Sequence, residues 1–120
     1  MNAMQALNNF WNSFGLPAYD VNTIPDDAVL PYITYEVSKD FFNSIVIRSA
    51  SLWYRSPLWS AITEKEQQIS NFISRGGFFI KCDEGGVWIK RGTPWAQRMS
   101  DPSDDMVRRI VLNYELEFII

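Results

Sequence analysis

VRRIVLNYELEFII, residues 107–120, carries the longest alternation in the chain. Ile110, Leu112, Tyr114, Leu116 and Phe118 fall on one face. Val111, Asn113, Glu115 and Glu117 fall on the other, with Ile119 at the end. A period of two held this long belongs to a strand, and one apolar face beside a partly acidic one suits a strand that covers a core on one side. Such a strand needs antiparallel neighbours and a layer of helix on its apolar side.

Neighbours are found upstream. PYITYEV (31–37) sets Ile33, Tyr35 and Val37 against Tyr32, Thr34 and Glu36, and SIVIRSASLWYR (44–55) sets Ile45, Ile47, Ser49, Ser51 and Trp53 against Val46, Arg48, Ala50, Leu52 and Tyr54. With Lys39-Asp40 as the turn, the two read as an antiparallel hairpin. FFIKCD (78–83) and VWIKRG (87–92) flank Glu84-Gly85-Gly86, a second hairpin signal. Between Arg91 and Val107 the sequence GTPWAQRMSDPSDDM (92–106) reads as a long loop, and loops of that length are functional or disordered.

Two segments have helical spacing. Ala3, Met4, Leu7, Phe10, Trp11 and Phe14 make an apolar stripe over residues 1–15, which Gly15 and Pro17 terminate. Ile62, Ile69, Phe72 and Ile73 make another over 60–74, with Ser60 or Thr63 as a cap, Thr63 and Glu66 at capping-box spacing, and Gly76-Gly77 as the stop. LPAYDVNTIPDDAVLP (16–31), with three prolines, reads as a connector. The expected fold is therefore α+β in the order α-β-β-α-β-β-β: two layers, a mainly antiparallel sheet of about five strands and two helices, in one domain spanning 1–120.

Composition narrows the function. The chain is 47% hydrophobic and 21% charged, a globular mix. It lacks histidine, so the commonest general base and metal ligand is missing, and its net charge of -3 provides no basic field for nucleic acid. No apolar run is long enough to span a membrane, and MNAMQALNNFWNSFG lacks the basic and apolar regions of a signal peptide. Cys82, alone and inside a strand-like run, reads as a buried thiol in a reducing compartment.

Motifs for chemistry are absent. Neither glycine pair opens a helix after a strand, so neither reads as a phosphate cradle. Asp101, Asp104 and Asp105 lack the order of a calcium loop and read as a solvated turn. Glu36, Glu115 and Glu117 read as an acidic row at an edge or facing a lumen, and not as a catalytic pair. Trp53, Tyr54, Trp59, Trp88 and Trp95 lie near Arg48, Arg55, Lys81, Lys90 and Arg91, the ingredients of a base-stacking platform; the acidic balance favours core and interface aromatics instead. No catalytic, cofactor-binding or metal residue is assigned. An aromatic content of 15%, with 5 tryptophans, points to assembly.

LPAYDVNTIPDDAVLPYITYEV, SIVIRSASLWYRS and RRIVLNYELEFI resemble the small tail terminator (tail completion) proteins of long-tailed bacteriophages, from about residue 15 to the end. The block IPDDAVLPYITY, residues 24–35, carries most of the likeness. The resemblance implies a structural protein without enzymatic activity or cofactor, made in the host cytoplasm and found in the virion. It also implies a hexameric ring that caps the tail tube protein, meets the head-side connector, and passes DNA without specific recognition. Other head–tail connectors and minor capsid components are built similarly. Within that reading the 92–106 loop is an assembly arm. Trp95 and Arg98 are its anchors, and Met99, Asp101, Asp104 and Trp59 accompany them at a subunit or partner interface.

Overall fold

A computed structural model describes residues Met1–Ile120. The first helix, α1 (Ala3–Trp11), is opened by a capping box between Asn2 and Gln5 and extended by a 3-10 turn, Asn12–Phe14. Gly15, at φ 83°, stops it in the left-handed conformation that glycine tolerates. Strands β1 (Ala18–Asp20), β2 (Tyr32–Tyr35) and β3 (Ile45–Arg55) follow, then α2 (Ser60–Ile73), β4 (Phe78–Cys82), β5 (Gly85–Ser100) and β6 (Val107–Ile119).

The six strands form one sheet in the order β1-β2-β3-β6-β5-β4. β1 runs parallel to β2, and every other pairing is antiparallel. The class is the expected α+β. β6 is central, paired along its whole length with β3 on one side and β5 on the other. Its apolar face, Ile110, Leu112, Tyr114, Leu116 and Phe118, is fully buried beneath the helices together with Ile33, Leu52, Val87 and Ile89. Trp11 is completely buried among Phe10, Phe14, Tyr35 and Tyr114, and from α2 come Ile62, Ile69 and Ile73. No helix lies over the opposite sheet face.

The structure corrects several expectations. The connector 16–31 contains β1, a sixth strand too short to show a period. The second hairpin turns at Asp83-Glu84, because Cys82 pairs with Gly85; Gly85 and Gly86 belong to β5. A Cβ on Gly85 would sit 2.0 Å from the Ile119 carbonyl, and one on Gly86 would meet the Phe79 ring, so the glycines serve close approach. The start of α2 uses neither Ser60 nor Thr63: Trp59 is the N-cap residue, without a side-chain hydrogen bond.

The largest correction concerns 92–106. It is not a loop. β5 continues to Ser100, with Ala96–Ser100 paired to Arg108–Leu112, and only residues 101–106 turn. The register shifts between Arg91 and Ala96, and that irregularity accommodates Gly92 and Pro94, which fit poorly in a regular ladder. Pro94, which has no N–H to give a ladder, sits in the bulge and its carbonyl accepts from Asn113 Nδ2 at 2.9 Å. Gly92 lets the backbone close on Asn113, whose carbonyl would lie 2.8 Å from a Cβ there.

Candidate assembly surfaces

The turn end of the β5–β6 hairpin collects most of the residues expected at an interface. Trp59 lies between two guanidinium groups, Arg98 at 4.7 Å and Arg108 at 5.3 Å from its ring centroid. Arg108 also donates to the Pro57 carbonyl at 3.0 Å, which ties this corner to the α2 entry. Asp104 pairs with Arg55 at 2.6 Å, and that hydrogen bond holds its carboxyl below the ordinary range. Asp101 accepts from the Ser103 hydroxyl and N–H, which lowers it likewise. Met99, Met106 and Leu58 stand exposed beside these groups. The corner is thus a braced surface.

Trp95 is not part of that surface. It packs half-buried against the core, and its Nε1 donates to Glu66 Oε1 on α2 at 2.9 Å. Alternation alone would set Trp95 on the face opposite Ala96, which pairs with Leu112; the bulge turns it toward the helix layer instead.

The sheet's open face carries Glu115 and Glu117 in one row, as β6 alternation requires. Glu117 is paired with Lys90 at 3.2 Å, so the row is partly neutralised. Glu36 lies apart from it, at the edge of β3, accepting the Ser49 N–H at 2.6 Å. The aromatic residues here are engaged within the chain. Arg109 lies 4.6 Å from the Trp53 ring, whose Nε1 donates to Thr34; Trp88 Nε1 donates to the Gly76 carbonyl, with Lys90 over the ring. Each of these rings thus has its N–H bonded and a cation over it within the chain. Asp101, Asp104 and Asp105 form no group of three able to hold a metal ion. The buried serines and threonine are satisfied, Ser51 by Arg109, Ser70 by Arg91 and Thr34 by Trp53, whereas Arg108 Nε is buried without a partner.

A second surface was missed in the sequence. Phe41 and Phe42 are 79% and 67% exposed, and Ile45 and Ile47 beside them 60% and 67%. Their loop is held. Asn43 donates to the Phe118 carbonyl at 2.9 Å, Phe118 N–H donates to Ser44, and Lys39 is ion-paired with Glu84. The signal was the apolar pair Ile45/Ile47 on a face that continues with Ser49, Ser51 and Trp53. Alternation could not say whether that face pointed in or out.

No family model matches the chain, and no curated protein resembles it at a significant level. A solved structure does: a chain of the virion of native gene transfer agent (GTA) particle, at a TM-score of 0.50 and 16% identity, over 82% of this chain and 75% of that one. At that identity the likeness is one of fold.

Proposed function

We propose that this chain is a structural component of a phage or phage-like virion. In this role it caps the tail tube as a ring and joins tail to head, without catalysis. The observation that carries the reading is a fold shared over most of the chain with a component of a gene transfer agent virion. It agrees with a surface built for contacts: a braced corner of Trp59, Arg98, Met99, Asp101 and Asp104 at one end of β5–β6, and exposed aromatics near the other. We assign the corner to the tube or to the head-side partner, because its cation–aromatic and ion-paired groups are already ordered and need no rearrangement to dock. The acidic row of Glu115 and Glu117, balanced by Lys90, suits a wall that DNA passes without being gripped.

Deleting the gene from its phage or prophage tests this. The expected result is filled heads and separate tails whose tubes end without a cap, restored by supplying the protein. Joined particles of normal form in its absence would overturn the reading. Light scattering behind size exclusion, over a concentration series, should show a species near six subunits or its smaller precursors.

A further inference from the structure

The sheet has two incomplete edges. β2 covers β3 only from Ala50 to Trp53 and Glu36 takes up Ser49, which leaves Ile45–Arg48 as a notch. Ser44 is bonded to Phe118 of β6, whereas Ser49 turns its N–H and carbonyl to Glu36 on the other side. Strand alternation therefore turns the backbone groups of Ile45 and Ile47 outward as well. Only Arg48, bonded to the Ile47 carbonyl at 2.7 Å, touches them. β4, 5 residues long, is the far edge; its outward side holds a single backbone bond, from Asp83 to Met1.

These edges match. Ile45, Glu117, Trp88 and Phe79 form one cross-strand row, and Val46, Leu116, Ile89 and Phe78 the next, so the start of β4 overlaps the lower end of the notch in height. β3, β6, β5 and β4 alternate in direction, so β4 of a neighbouring copy laid in the notch continues the antiparallel ladder. Beside β4, between α1 and α2, lies a groove of about 440 Å³ walled by Phe10, Phe72, Phe78 and Phe79. Its rim residue Lys81 takes part in no ion pair, and neither does Asp40, next to the exposed Phe41. Bare edges with apolar flanks are templates for another chain.

We propose that copies of this chain join edge to edge, β3 Ile45–Arg48 of one antiparallel to β4 of the next. Phe41 and Phe42 fill the groove, and Asp40 meets Lys81. The contact rests on the ring reading above and supplies the two different patches that a ring requires, one on each flank. The occupant is a second copy because one chain carries both halves, complementary in strand direction, apolarity and charge.

Assembly of the full chain is measured by light scattering and on purified tail tubes. Phe41→Asp with Phe42→Asp should raise the concentration for assembly roughly a hundredfold, as expected for two lost aromatic anchors, with circular dichroism unchanged. Asp40→Lys and Lys81→Glu should each weaken assembly, and together restore it. Ile45→Cys and Phe79→Cys chains should cross-link when mixed and not separately; Cys82 is buried and stays out of the reaction. Unchanged assembly of these variants, or cross-linking of Ile45→Cys with itself, would overturn the edge contact while leaving the ring intact. A parent chain that forms no oligomer alone or on tubes would overturn both.

Discussion

Replacing Trp95 with alanine separates a packed strand from a free arm. The ring is half-buried against the core, and its Nε1 is bonded to Glu66 at 2.9 Å. Truncating a fully buried tryptophan costs about 3–5 kcal/mol. Half of that, with Glu66 left free to meet water, gives a loss of roughly 2 kcal/mol. For a chain of this length the midpoint should fall by about 8 °C, at roughly 4 °C per kcal/mol. Urea denaturation followed by tryptophan fluorescence and far-UV circular dichroism measures it. A double-mutant cycle with Glu66→Gln should return a coupling of about 0.5–1 kcal/mol. A loss below about 0.5 kcal/mol, the scale of an exposed surface change, would refute the packing and return residues 92–106 to the status of an arm.

The remaining expectations concern single contacts. Gly85→Ala should cost roughly 3 kcal/mol, since a Cβ at φ 138° would stand 2.0 Å from the Ile119 carbonyl. Gly76→Ala, with open space around it, should be neutral or stabilising by up to about 1 kcal/mol; equal effects in thermal melts would contradict the hairpin geometry. Tyr114→Phe should lose about 1 kcal/mol in urea melts, because the buried hydroxyl donates to the Glu36 carbonyl at 3.0 Å and leaves it unpaired when removed. Burial also pushes that phenol far above the usual tyrosine range. The hydrogen bond from Lys39 lowers the Glu84 carboxyl below its ordinary 4.5. A depressed carboxyl adds stability above its unfolded pKa and loses it as pH falls through the folded one. Glu84→Gln should therefore be less stable than the parent at neutral pH and converge with it in acid; a gap independent of pH would show that the pair contributes nothing.

How much was legible can be traced residue by residue. Alternation in 107–120 determined by itself that Ile110, Leu112, Tyr114, Leu116 and Phe118 share a face, because a strand's side-chain period is a local property of backbone geometry. The apolar stripes of α1 and α2 and the stop at Gly15 were equally local. The α+β class followed, since one-sided strands and amphipathic helices must bury their apolar faces on each other.

What lay beyond the sequence depends on contacts between distant segments. Pro94 and Gly92 look like breakers in isolation. Only the length of β6, whose first half needs a partner, makes a bulged strand of 85–100. Trp95 points to α2 because that bulge shifts its phase, and no local pattern encodes the shift. Ile45 and Ile47 could have been core; they are outside because Leu52 and Ala50, on the opposite phase, meet Ile110 and Leu112. The bare edges exist only because β2 is short and β4 is last. Period is written along the chain, whereas exposure is decided by what the rest of the chain leaves uncovered.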